Sequence, residues 1–343
     1  MLTFASIMKT YFQKEMTEIL SPCVATIGFF DGVHVGHRHV IGLLKQLAWR
    51  EGLPSAVVTF EHHPRQVLQS QWRPRLLSTL DEKIHLLSLT GIDRLVVLSF
   101  DEAMAALSAR HFMHDILYSQ LGVRMLLTGY DNHFGHRTAG SSEGFNDYVA
   151  YGQEMGMQVV QGTPYIMDNG LQVSSSKVRH LIQDGHVEDA AKCLGRPFAI
   201  TGRVVSGEHI GTTLGYPTAN LQLQDADKLV PAPGVYAVTV SAGQPENLQH
   251  SAAVEELPGM MNIGSRPTFG GDHQTLETHI LHFTGNVYGR VLTVRFISRL
   301  RSEKCFDSAE SLAVQLAADA RMAEKAVNEK SRVDGGCMDF FGK

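Results

Sequence analysis

The sequence predicts an α/β unit built on a doubly wound parallel sheet, followed by an antiparallel β-barrel unit with a C-terminal helix. Three observations lead there. A length of 343 residues, at roughly 150 residues per domain, favours two domains over one. From Val24 to about Gln161, short β-branched or aliphatic runs alternate with stretches of helical periodicity, as in the right-handed βαβ crossovers of a parallel sheet. Beyond Pro197 the texture changes to strands separated by Gly- and Pro-rich turns, a pattern of antiparallel pairing. The boundary falls at residues 185–197, so the domains are expected at 1–185 and 186–343.

VATIGFF opens the first unit as a strand. Val40, Leu43, Leu44, Leu47 and Ala48 then share one helical face, and Gly52 with Pro54 stops that helix before the strand SAVVTF. The alternation continues through IHLLSL, RLVVLSF, the helix-like ARHFMHDILYSQ closed by Gly122, VRMLLTG, a helix near Glu143 to Met155, and MQVVQG. Some five strands separated by helices result, and ligands of such sheets sit beyond the carboxyl ends of the strands. Ser174 to Ser176 can cap a helix over Lys177 to Gln183, and a second short helix, Val187 to Leu194, ends at Gly195, Arg196 and Pro197. In the second unit FAITGRVVSG, GVYAVTVSAG, LETHILHF and RVLTVRFISRL read as strands. A helix over about Ser308 to Asn328 follows, with Leu312, Leu316 and Ala320 as its core stripe. There is no internal repeat and no low-complexity tract.

Composition narrows the function. Hydrophobic residues at 43% and charged residues at 19% describe a folded chain, neither disordered nor built from membrane spans. Thirty basic against 35 acidic residues leave a formal charge of −5, so no overall positive field exists to hold a nucleic-acid backbone. Any phosphate must be gripped locally. Cys23, Cys193, Cys305 and Cys337 are far apart and form no C-x-x-C pair, which argues against a zinc ribbon or a disulfide framework and fits a reducing cytoplasm. Lys9, Lys14 and Glu15 interrupt the amino-terminal stretch before it reaches signal-peptide length, and no run of about 18 apolar residues occurs elsewhere. The expected partners are small molecules, with neither nucleic acid nor membrane among them.

The first strand runs straight into Gly28-Phe29-Phe30-Asp31-Gly32-Val33-His34-Val35-Gly36-His37, where the next helix begins. Glycines admit a ligand close to the backbone, a helix N-terminus offers free N–H groups, and two histidines three apart project from one turn toward the same phosphates. The arrangement suits a triphosphate, and the chain lacks both G-x-G-x-x-G here and any G-x-x-x-x-G-K-[ST]. The string resembles the H-x-G-H motif of the Rossmann-like nucleotidyltransferase superfamily, in the F-D-G-x-H-x-G-H form typical of FAD synthetases. The resemblance implies that His34 and His37 stabilise the phosphates of ATP while FMN attacks the α-phosphorus, by positioning and charge neutralisation. It places Gly28, Phe29, Asp31 and Gly36 at the nucleotide.

Two further segments extend the resemblance. Val173-Ser174-Ser175-Ser176-Lys177-Val178-Arg179 is similar to the family's S-S-T-x-x-R segment, implying that Ser175, Ser176 and Arg179 reach the nucleotide phosphates. Thr59-Phe60-Glu61-His62-His63-Pro64 and Gly129-Tyr130-Asp131-Asn132-His133-Phe134-Gly135 resemble T-F-x-P-H-P and G-x-D-F-R-F-G, implying His63 and Asp131 on the flavin side. His62, Asn132 and His133 depart from those patterns. Adjacent His62 and His63 diverge and lack a specified third ligand, so they do not read as a metal site.

In the β unit, Gly211-Thr212-Thr213-Leu214-Gly215-Tyr216-Pro217-Thr218-Ala219-Asn220 combines a glycine-rich turn suited to phosphate with Thr218 and Asn220 alternating as on a strand. Those two side chains can offer oxygens to Mg²⁺. The string resembles the G-x-x-L-G-F-P-T-A-N-L motif of riboflavin kinases, with Thr212 where arginine or lysine is frequent, and implies Gly211, Gly215, Thr218 and Asn220 in the nucleotide loop. Asn262 to Thr268 matches N-I-G-x-R-P-T, and Thr275-Leu276-Glu277-Thr278-His279 matches T-x-E-x-H, whose glutamate takes the proton of the ribityl 5′-hydroxyl in that family. Glu277 is therefore the candidate base. His282 replaces a frequent aspartate, while Arg301, Glu303 and Phe306 retain R-x-E-x-x-F.

Residues 20 to 325 thus resemble bacterial bifunctional riboflavin kinase/FAD synthetases. That implies phosphorylation of riboflavin to FMN, then adenylyl transfer from ATP to FMN giving FAD and pyrophosphate, both with Mg²⁺. Alternatives are another H-x-G-H enzyme, such as a pantetheine-phosphate adenylyltransferase or a class I aminoacyl-tRNA synthetase, and a flavin-binding regulator without catalysis. The kinase-like string 211–220 argues against the first, the charge balance against the second, and His34, His37, Thr218, Asn220 and Glu277 against the third.

Overall fold

A computed structural model describes residues 8–68, 75–129, 143–168, 170–206, 216–243, 256–268 and 271–335. The chain divides into two compact units, Met1–Ser175 and Ser176–Lys343. The first contains β1 (Lys9–Phe12), β2 (Cys23–Ile27), α1 (Val35–Glu51), β3 (Ser55–Phe60), α2 (Pro64–Leu68), α3 (Leu80–Ser88), β4 (Arg94–Leu98), α4 (Glu102–Ala105), α5 (Ala109–His111), β5 (Val123–Thr128), α6 (Phe145–Met155) and β6 (Gln158–Gln161). The helix α5 runs on as a π-helical stretch, Phe112–Gln120.

These strands form a parallel sheet in the order β1-β4-β3-β2-β5-β6, as the alternation predicts. The edge strand β1 adds a sixth strand before the first one read in the sequence, and IHLLSL falls mostly in α3. All five residues of β2 are buried. Cys23, Ala25 and Ile27 pack with Phe112, Met113 and Leu117 on one face, while Val24 joins Ile41 and Leu44 of α1 on the other. A strand covered on both faces reads as a continuous apolar run. Because β3 and β5 flank β2 on opposite sides, the order reverses at β2, and its carboxyl end opens at the crevice where ligands of doubly wound sheets bind.

The helix α7 (Ser175–Gln183) spans the division, and α8 (Val187–Leu194) follows. Val178 and Ile182 of α7 are buried, and the Ala232 N–H donates to the Ile182 carbonyl at 3.3 Å. Next come β7 (Ala199–Val205), β8 (Ala219–Leu223), β9 (Gly234–Ala242), β10 (Leu257–Thr268), β11 (Gly271–Ile280), β12 (Val291–Arg301) and α9 (Ala309–Gly335). The strands close into an antiparallel barrel in the order β10-β11-β8-β7-β12-β9, with β9 and β10 completing the ring. The sequence hides β10 because Pro258, Gly259, Gly264 and Pro267 lie inside it, residues that ordinarily argue against a strand.

The C-terminal helix covers one side of this barrel. Ala323 of α9 packs among Ala237, Met260 and Leu281. Fully buried Asp319 receives Arg301 Nε and Nη2, the latter at 2.7 Å. A forked guanidinium–carboxylate contact of this kind fixes orientation as well as distance.

Candidate functional site

At the carboxyl end of β2 the chain turns sharply before entering α1. Phe30, Gly32 and Val33 take φ values of 52°, 75° and 39°. Only glycine does this freely; for β-branched Val33 it is strained backbone, at a cost of about 1–3 kcal/mol of the kind that collects at ligand sites. Surrounding residues hold the turn. The Asp31 carboxylate accepts from the backbone N–H groups of Leu77 and Ser78, each at 3.0 Å, and the Gly32 N–H donates to Ser78 Oγ at 2.9 Å. Asp31, expected at the nucleotide, thus commits its carboxylate to bracing the loop.

The two histidines meet. His34 caps α1, its Nδ1 accepting the His37 N–H at 3.2 Å, and the imidazoles stack with centroids 3.6 Å apart. Gly36 makes room for this pair, since a Cβ there would stand 3.2 Å from the His34 ring. The Nδ1 of His37 is buried with no hydrogen-bond partner. Burial, then the neighbouring His34 and Lys83, hold the pKa of His37 well below the ordinary histidine range, leaving a neutral imidazole. Phe30 packs edge-on against it at 5.1 Å.

Two other motifs converge on this loop. Thr59 Oγ1 donates to the Phe29 carbonyl at 3.1 Å, and the His63 ring meets Phe29 edge-on at 4.6 Å. From the serine segment, Ser175 Oγ donates to the Asp31 carbonyl at 3.1 Å. Exposed Ser176 and half-buried Arg179 follow on α7 as part of the second unit. Asp131, Asn132 and His133 lie outside the described residues.

Lys83, which belongs to none of the sequence motifs, is almost wholly buried at 2% exposure. Its ammonium donates to the Phe60 carbonyl at 2.8 Å and lies 4.1 Å from the centre of the Phe29 ring. Desolvation lowers its pKa to about 8, against the opposing pull of Asp31. The available signal was its spacing, because Leu80, Lys83 and Leu87 stand on the i, i+3, i+7 positions of an inward helical face.

In the barrel unit, Glu277 of β11 stands opposite both Asn220 of β8 and Asn262 of β10. Directly opposed residues of antiparallel strands share a face, so three polar side chains gather there. A cavity of about 320 Å³ opens beside them, lined by Thr218, Asn262, Glu277 and His279 together with Arg301 and Glu303. Arg301, Glu303 and Phe306 of the R-x-E-x-x-F pattern all reach this cavity, as do Leu312 and Leu316 of α9. Gly211, Thr212 and Gly215 lie outside the described residues. His282 turns with φ 59° and bonds Glu324 of α9 at 3.0 Å, a conformation that histidine tolerates better than most residues.

Thr218 and Asn220 carry hard oxygen donors, of the kind that Mg²⁺ takes alongside substrate phosphates. No group of three or more His, Cys, Asp or Glu side chains suited to a metal occurs among the described residues. Among the described residues, no helix is long and apolar enough to cross a membrane.

Comparison with known proteins agrees with both halves. Residues 16–177 match the FAD synthetase family and residues 194–327 the riboflavin kinase family. The chain is 38% identical over 303 residues to the bifunctional riboflavin kinase/FMN adenylyltransferase of Escherichia coli K12, covering 88% of this chain and 92% of that protein. The Bacillus subtilis protein of the same description is 33% identical over 304 residues, with 88% and 91% covered. A Streptococcus pneumoniae crystal structure described as a macrolide-efflux protein shares the architecture, with a TM-score of 0.81, 30% identity, and coverage of 92% of this chain and 98% of that one. With an FAD synthetase domain followed by a riboflavin kinase domain, and relatives similar over nearly the whole length, the chain belongs to the bifunctional riboflavin kinase/FMN adenylyltransferase family.

Proposed function

We propose that residues 186–343 phosphorylate riboflavin and residues 1–185 adenylylate the product, with the side chains described above in the following roles. In the barrel, Glu277 accepts the proton as the ribityl 5′-oxygen attacks the γ-phosphorus of ATP, so that FMN forms and ADP leaves. Thr218 and Asn220 would hold Mg²⁺, which when bound neutralises phosphate charge. The family resemblance assigns Gly211 and Gly215, outside the described residues, to the nucleotide phosphates. The observation that carries this reading is the register placing Glu277 between Asn220 and Asn262 beside the cavity.

In the first unit a phosphate oxygen of FMN attacks the α-phosphorus of a second ATP, and pyrophosphate departs. His34 and neutral His37 donate hydrogen bonds to the phosphates, while the α1 amino terminus and the loop Gly28 to Gly36 supply backbone donors. Ser175, Ser176 and Arg179 complete the phosphate contacts. Asp31 contributes by bracing the turn, and buried Lys83 adds positive charge beneath Phe29. His63 takes the flavin side, to which the family resemblance also assigns Asp131, outside the described residues. The protein orients and neutralises without becoming covalently attached to substrate.

Its small-molecule substrates and the free, buried thiols of Cys23 and Cys193 support a cytoplasmic setting. The test incubates the protein with riboflavin, ATP and Mg²⁺ and separates the flavins over time. FMN should appear first and FAD after it. Flavin binding without ATP turnover would overturn the reading in favour of a regulatory protein.

A further inference from the structure

The segment that delivers Thr218 to the kinase site is not held by the barrel's hydrogen-bond ladder. β8 begins at Ala219, whose partner on β11 is Thr278, and its pairing with β7 ends at Asn220 opposite Val205. Tyr216, Pro217 and Thr218 lie beyond both ladders. A threonine meant to place an oxygen within ångströms of a phosphate needs some other restraint, because small misplacements of reacting groups are costly.

His279 supplies one. Its Nδ1 is 2.7 Å from the Pro217 carbonyl oxygen, across 62 residues of sequence. A carbonyl only accepts, so Nδ1 carries the proton and the neutral ring is the Nδ1–H tautomer. The same imidazole packs edge-on against Tyr216, with centroids 5.2 Å apart and planes inclined by 67°. One side chain therefore grips the two residues immediately before Thr218. His279 also stands two residues from Glu277 on the same strand, where alternate side chains share a face, and both line the cavity.

From this geometry we infer that His279 is a positioning residue of the kinase reaction: it clamps Tyr216 and Pro217 to β11 and thereby sets the Thr218 oxygen in register with Glu277. The inference rests on the proposed roles of Thr218 and Glu277. It gives the histidine of the T-x-E-x-H strand a role distinct from proton transfer. The essential part is the Nδ1 donor rather than the ring, since the ring alone would leave the Pro217 carbonyl unheld.

The experiment compares three full-length variants, His279→Asn, His279→Phe and Glu277→Gln. Asparagine keeps an amide N–H near the place of Nδ1, whereas phenylalanine keeps the ring and loses the donor. His279→Phe should lower kcat for riboflavin phosphorylation by about 10- to 100-fold, the scale of a misplaced reacting group. Its KM for riboflavin should change less than about threefold, and more Mg²⁺ should be needed for half-maximal rate. His279→Asn should recover most of the lost kcat, and adenylylation of supplied FMN should stay unchanged in both.

Equal losses in the two His279 variants, or a loss confined to KM, would overturn the clamp and reduce His279 to a wall of the cavity. Near-normal phosphorylation by Glu277→Gln would instead overturn the underlying site assignment. If His279→Phe proves unstable, ¹⁵N NMR of the wild-type histidines still decides, because the clamp requires the Nδ1–H tautomer at His279 and an Nε2–H tautomer would sink it.

Discussion

His37 donates its backbone N–H to Nδ1 of His34 at 3.2 Å, and the two rings stack with centroids 3.6 Å apart. A ring nitrogen that accepts carries no proton, so neutral His34 bears its hydrogen on Nε2. The helix cap thus fixes the tautomer of the first histidine of H-x-G-H, and stacking with burial keeps the second uncharged. His37→Ala should lower FAD formation by about 2 to 4 kcal/mol of transition-state stabilisation, the scale of single electrostatic donors. Phosphorylation of riboflavin should continue, so FMN accumulates. Equal loss of both activities in a folded variant would rule out separate sites.

The lowered pKa of His37 also predicts how stability responds to acid. Above about pH 6.5 the residue is neutral in both the folded and unfolded chain, and its contribution is fully present. As pH falls below that value the unfolded chain takes up a proton that the folded site resists, and stability declines. His37→Gln should flatten this decline in a denaturant series from pH 7 to pH 5. An unchanged slope would show that His37 protonates freely when folded.

Lys83 makes the same demand at alkaline pH. Its pKa falls from 10.5 to about 8 on folding, so between those values the folded state binds fewer protons than the unfolded state and stability rises with pH. Below about pH 8 the burial penalty is complete, on the order of 3 kcal/mol for a shift of this size. Lys83→Met should therefore stabilise the first unit at pH 7, abolish the alkaline rise, and slow adenylyl transfer. Loss of stability at pH 7 would mean that the contact with Phe60 outweighs the cost of the charge.

Glu277→Gln keeps size and hydrogen-bonding capacity but removes basicity. Phosphorylation of riboflavin should fall by about 10² to 10⁴, the usual share of acid–base catalysis, while FMN supplied directly is adenylylated at a near-normal rate. Rates measured with the two starting flavins at fixed ATP and Mg²⁺ make the comparison. Near-normal FMN production would remove Glu277 from the reaction.

Asp319 is fully buried and forked to Arg301, which borders the barrel-unit cavity. Asp319→Ala should destabilise the barrel unit by about 3–5 kcal/mol, since it strands a guanidinium that is mostly out of water. Thermal unfolding followed in that unit checks this, and a loss below about 1 kcal/mol would class the pair with weak surface bridges.

The two reactions should be separable. A fragment from residue 186 should convert riboflavin to FMN and stop there; FAD from a folded fragment would refute the domain assignment. A fragment from residue 176 should do the same with a higher unfolding midpoint, because it keeps buried Val178 and Ile182 and the Ala232 bond to the Ile182 carbonyl.

Local physics made much of this molecule legible in its sequence. The strand VATIGFF, the helix behind it and the glycines between them announce a tight strand-to-helix turn because periodicity and backbone freedom are local properties. Short strings single out Thr218, Asn220 and Glu277, and pairing places Glu277 opposite Asn220. Tertiary structure alone decided what depends on residues distant in the chain. It turned Asp31 inward, because its acceptors are met by the amides of Leu77 and Ser78 some 46 residues away. It buried Lys83 beneath Phe29, and it bound His279 to Pro217 across 62 residues. Spacing along the chain carries no such information, since hydrogen bonds and desolvation are set by whichever groups packing brings together.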